Sequence, residues 1–132
     1  MQALDDNALG HVADYFRALS EPLRLRLLNA LREGPMNVGD LTLLLGCSQA
    51  NVSKHLALLA KTGLVRRESR GTSVFYEIAD ARTYEMCDLV CGQIAQRLMS
   101  QVQGMAAFQS PQASAKTARA KPAAPLARGR KG

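Results

Sequence analysis

Three groups of residues in this 132-residue chain have the types and spacing to do chemistry. The first is Ser48-Gln49-Ala50-Asn51-Val52-Ser53-Lys54-His55, where hydroxyls, amides and a cation alternate with small or apolar residues. Set on a helix at about 100° per residue with Val52 inward, Leu56 and Leu59 stay within roughly 40° of it, while Ala50, Ser53, Lys54, Ala57 and Lys61 face away. That outward face is small, polar and basic. Small side chains let a helix approach the floor of a DNA major groove, Gln49 and Asn51 near the amino end suit base edges, and Ser48, Ser53 and Lys54 suit phosphates. His55 falls on the border between the two faces. The second group, Arg66, Arg67 and Arg70, adds positive charge a few residues downstream. The third is Cys87 and Cys91, two thiols on successive turns of one helix face, with Cys47 beside the first group. Such a pair packs as small hydrophobes, chelates a soft metal or metalloid ion such as arsenite, or undergoes oxidation or persulfidation. Asp88 lies near the same face, but one carboxylate without histidines does not make a zinc site.

These groups need elements to position them. Residues 8–19 place Leu9, Val12, Phe16 and Leu19 at helical spacing, which predicts a first amphipathic helix. Ser20 followed by Glu21 and Pro22 predicts the start of a second, with Leu23, Leu27, Leu28 and Leu31 on its apolar face and Gly34-Pro35 at its end. A short third helix from Asn37 stops at Gly46, and Ser48 opens a fourth that ends at Gly63. Two short helices joined by a tight glycine-containing turn form a helix-turn-helix. The runs 64–68 and 73–78 flank Ser69-Arg70-Gly71-Thr72 and predict a hairpin. A long fifth helix follows from about Asp80 to Gln103. On it Tyr84, Cys87, Cys91, Ile94, Leu98 and Val102 recur at steps of three and four, a seam suited to a dimer face.

The fold class expected is therefore mainly α with a small β-hairpin: a winged helix-turn-helix of five helices and a two-stranded wing over residues 1–108. Residues 109–132 are rich in Ala, Pro, Lys and Arg without apolar period, which predicts a disordered basic tail. The net charge of +6 resides there. Up to residue 110 there are 11 Lys and Arg against 11 Asp and Glu, so any affinity of the folded part for DNA must come from surface pattern and not from bulk charge. The length excludes a two-domain enzyme, and the odd count of 3 cysteines does not suit a disulfide framework. No run approaches a membrane span and the start lacks a signal-peptide pattern, which together predict a cytoplasmic protein without membrane partners.

Several stretches resemble the ArsR/SmtB family of bacterial winged helix-turn-helix repressors: Ala18-Leu19-Ser20-Glu21-Pro22-Leu23-Arg24-Leu25-Arg26-Leu27-Leu28, Val38-Gly39-Asp40-Leu41, Leu45 through Leu56, Gly63-Leu64-Val65, and the wing from Arg66 to Tyr76. The resemblance covers roughly residues 8–100. It implies a homodimer, joined through the first and last helices, that holds operator DNA and releases it when a small inducer acts. For His55 it implies a phosphate contact, against the reading as a partly buried helix histidine. Two sensor patterns of that family are missing. The Cys-x-Cys of its arsenic type is replaced by Asn37-Val38-Gly39-Asp40-Leu41, and His11 and His55 are too few for its zinc type. Cys87 and Cys91 remain as candidate sensor ligands. A DNA-binding regulator without enzymatic activity is thus expected, with two alternatives: a constitutive regulator whose cysteines only pack, or a thiol-exchange protein. The last is disfavoured because exchange pairs read Cys-x-x-Cys at a helix start.

Overall fold

The computed structural model describes residues 3–109. The basic segment read at 109–132 therefore lies outside the described residues, Gln109 excepted. The chain divides into two units, one through Thr83 and one from Tyr84 onward.

In the first unit, Asp5 accepts from the Ala8 amide at 2.8 Å and opens α1, Asp6–Ala18. Helix α2, Pro22–Ala30, is capped by Glu21, whose Oε1 accepts from the Leu23 and Arg24 amides. Ser20, expected in that role, instead donates its hydroxyl to the Arg17 carbonyl at 2.6 Å and closes α1. The reason is Pro22: its ring pushes the preceding residue into extended backbone, so the cap falls on Glu21 at φ −129°, ψ 126°. A 3-10 turn, Leu31–Glu33, ends on Gly34. Asn37 caps α3, Val38–Leu45, and Gly46 terminates it in the left-handed region at φ +68°, where a Cβ would be strained. Ser48 then caps α4, Gln49–Lys61, accepting from the Asn51 amide at 3.2 Å.

Strands β2, Val65–Arg70, and β3, Ser73–Ile78, pair antiparallel through Gly71-Thr72. Gly71 alone of that two-residue turn has positive φ, the sign pattern of a type II′ hairpin turn. The sheet has a third member that sequence reading did not anticipate: β1, Met36–Asn37, pairs with β3, so the order is β1-β3-β2. Leu27 and Leu31, Leu41 of α3, Val52, Leu56 and Leu59 of α4, and Leu64 are fully buried and form the core. Burial of each leucine contributes roughly 2 kcal/mol, which is what fixes α4 with one defined face outward.

The second unit is led by α5, Arg82–Ala106, whose first two residues belong to the first unit. Tyr84 and Cys87 are half-buried, Cys91 is exposed, and Ile94, Leu98 and Val102 are exposed together with Leu89, Met99 and Met105. Exposed apolar side chains at this density, Ile94, Leu98, Val102 and Met105 sharing one side of the helix, mark an interaction surface. In the first unit, helix α1 exposes Leu9 and Phe16, at 41% and 49%.

Candidate nucleic-acid interface

Helix α4 separates its two faces as the wheel requires. Val52, His55, Leu56 and Leu59 are buried, while Gln49, Ala50, Asn51, Ser53, Lys54, Ala57 and Lys61 are exposed, with the capping Ser48 beside them. The turn Gly46-Cys47-Ser48 is short because the αL residue terminates one helix and the serine cap starts the next with only Cys47 between them. Ser48 has a double assignment: its oxygen accepts from Asn51, and its hydroxyl proton remains to donate. Gln49 and Asn51 stand on the first turn of α4, the end that an aligned helix presents to base edges. No acidic residue occurs in α4, and Lys54 and Lys61 give it positive charge.

The wing carries less free charge than its arginines suggest. Arg66 pairs across the strands with Glu77 at 3.4 Å, and Arg70 pairs with Glu68 at 3.2 Å. Three arginines thus stand against two glutamates. Arg70 also lies over the Phe75 ring, 4.6 Å from its centroid, which holds the guanidinium at the end of the hairpin by cation–π attraction. Arg66, Arg67 and Arg70 are all exposed and reach solvent on the hairpin.

His55 is 8% exposed, and Arg24 Nη1 approaches its Nδ1 at 3.1 Å. Of the two readings left open by the sequence, burial favours the packed histidine. Arg24 lies 31 positions from His55, and no local pattern in the sequence links the two.

The thiols belong to different elements. Cys47 is half-buried and its thiol donates to the Leu45 carbonyl at 3.6 Å, in the turn before α4. Cys87 and Cys91 share α5. Among the described residues no group of three or more His, Cys, Asp or Glu side chains could hold a metal ion, so a chelate at Cys87 and Cys91 would need ligands from outside this single set. At the start of α5, Asp80 accepts from the Arg82 side chain and then from the Arg82 amide at 2.9 Å, and these hydrogen bonds hold its carboxyl down at about 2. Among the described residues no helix is long and apolar enough to cross a membrane.

The model of the arsR family of bacterial regulatory proteins matches residues 21–67, which run from the cap of α2 through α4 into β2. The HTH-type transcriptional regulator NmtR of Mycobacterium tuberculosis is 38% identical over 85 residues, 64% of this chain and 71% of that protein. Among solved structures, a homodimeric winged helix-turn-helix DNA-binding domain from Mycobacterium bovis superposes with a TM-score of 0.64 at 27% identity, covering 74% of this chain and 95% of that one. The antimony-specific transcriptional repressor AntR gives a TM-score of 0.63 at 30% identity over 75% of this chain and 90% of that one.

Proposed function

Because the chain belongs to the ArsR family of bacterial winged helix-turn-helix regulators, we propose that it is a homodimeric transcriptional repressor that binds an operator through α4 and the wing. The observation that carries this reading is the outward face of α4, where base-matching amides, phosphate-matching hydroxyls and Lys54 are exposed on a helix held rigidly by three fully buried aliphatic side chains. Ser48, Ser53, Lys54, Arg66, Arg67 and Arg70 serve the phosphate backbone, and Gln49 and Asn51 read bases. The homodimeric neighbour and the exposed seam of Ile94, Leu98 and Val102 support pairing through α5, and the exposed Leu9 and Phe16 support a part for α1. The cytoplasm, where DNA and reducing conditions coexist, is the compartment this role requires.

The inducer we propose is a soft metal or metalloid ion, or a thiol-reactive species, acting at Cys87 and Cys91. Two observations support it: the pair lies within the apolar seam, with Cys91 accessible, and a structural neighbour is an antimony-specific repressor. A dimer would bring two such pairs near one axis and supply the ligands a single chain does not. A change of packing there shifts the recognition helices relative to fixed half-sites, and a hundredfold loss of affinity corresponds to about 2.7 kcal/mol of coupling.

The test is a competition assay with DNA from immediately upstream of the protein's own reading frame. Specific fragment should outcompete random duplex, and release should follow titration with arsenite, antimonite, an oxidant or a persulfide. Cys87→Ser with Cys91→Ser should bind normally and no longer respond. Equal affinity for both DNAs refutes the regulator, whereas normal binding with an unaltered response refutes the cysteine sensor and leaves these thiols as packing residues.

A further inference from the structure

Arg24, in the first turn of α2, joins three helices. Its Nε donates to the Ala18 carbonyl at 2.7 Å and one terminal nitrogen donates to the Arg17 carbonyl at 3.1 Å. Both carbonyls lie at the end of α1, and because the Arg17 carbonyl also accepts from Ser20, Arg24 adds to the closure of α1 from a neighbouring helix. The remaining terminal nitrogen meets His55 Nδ1 on α4 at 3.1 Å. A guanidinium has only donors, hence Nδ1 is the acceptor in this contact and the ring N–H is at Nε2. His55 is buried and Ala18 is 2% exposed, while Arg24 is half-buried, so its bonds to Ala18 and His55 are partly shielded and its bond to Arg17 faces solvent.

We propose that Arg24 and His55 are positioning residues for operator recognition, a strut that fixes the angle of α4 against α1. This rests on the reading that α1 lies in the dimer contact and α4 reads DNA. The lever is short but sufficient. His55 is six residues from Gln49, about 9 Å along the axis, so a tilt of about 5° at His55 displaces Gln49 by about 0.8 Å, enough to spoil a base-edge hydrogen bond. A fork geometry is required, because lysine in place of Arg24 keeps the charge but cannot satisfy three acceptors on two helices.

Asparagine at 55 places an acceptor where Nδ1 was, glutamine places its amide where Nε2 was, and histidine and asparagine have similar helix propensity. Full-length wild type, His55→Asn, His55→Gln, His55→Leu and Arg24→Lys are compared by anisotropy on the upstream fragment and on random duplex, with sedimentation and thermal melting as controls. The strut predicts that the asparagine variant stays within about threefold of wild type, while the other three lose about tenfold or more with the dimer intact, and that Arg24→Lys combined with His55→Leu loses no more than either alone. Retention by glutamine with loss by asparagine shows that Nε2 serves DNA directly and overturns the strut. Wild-type affinity in Arg24→Lys overturns it too, leaving a charge effect. If His55→Leu fails to melt cooperatively, asparagine against glutamine decides. Wild type that does not prefer the upstream fragment defeats the DNA reading itself, an outcome distinct from wrong ranking among variants of a protein that binds.

Discussion

Replacing Lys54 by alanine isolates one electrostatic contact. Its side chain stands exposed on the outward face of α4 with no carboxylate paired to it among the described residues, so it is available to a phosphate without first breaking an ion pair. Each phosphate neutralised contributes about 0.9 to the slope of log affinity against log salt. A rise from about 50 to about 200 mM salt is fourfold, so this one contact accounts for a factor of about 3.5 in affinity across the range, or about 0.7 kcal/mol. The ratio of wild-type to Lys54→Ala affinity should therefore shrink by about 3.5-fold between those concentrations, equally on operator and on random duplex. Fluorescence anisotropy at four or five salt concentrations measures it. Parallel lines for the two proteins would show that Lys54 touches no phosphate, and a loss confined to operator DNA would make it a base reader.

Gln49→Ala should behave in the opposite sense, weakening discrimination at one base position by roughly 1 to 3 kcal/mol while leaving random duplex and the salt slope unchanged, as scanned with single-base operator variants. Ser48→Ala removes the cap of α4 and should lower unfolding free energy by about 1 kcal/mol in urea titration, together with some operator affinity. Asp80 should titrate by NMR with a midpoint about 2, below the ordinary carboxyl value of 3.8. Because its folded value is depressed, its contribution to stability is present above pH 4 or so and fades as pH falls through about 2; Arg82→Ala should move the midpoint upward.

What could be read from the sequence was local. The alternation of Val52, Leu56 and Leu59 with polar residues set the orientation of α4, Asn37 marked the start of α3, and Gly46 and Ser48 marked the turn between them, because capping and αL geometry depend on neighbours within three or four residues. Glu21 displaced Ser20 as a cap by one position, through the proline whose backbone effect acts on the residue before it. Strand β1 was invisible, since two residues carry no alternation and their pairing with Phe75 and Tyr76 lies nearly forty positions away. The wing's ion pairs depended on register: once the turn is Gly71-Thr72, Arg66 must face Glu77 and lose part of its free charge. The strut from Arg24 to His55 is likewise a product of packing, not of spacing.

The central claim is that two copies of this chain read one operator. Footprinting of the upstream DNA, with stoichiometry from sedimentation of the complex, tests it most directly. The account predicts two chains per protected site, whose half-site centres in an imperfect palindrome lie one or two helical turns apart, about 34 Å per turn. A single chain on an unpaired site, or protection no different from that of random DNA, would contradict it.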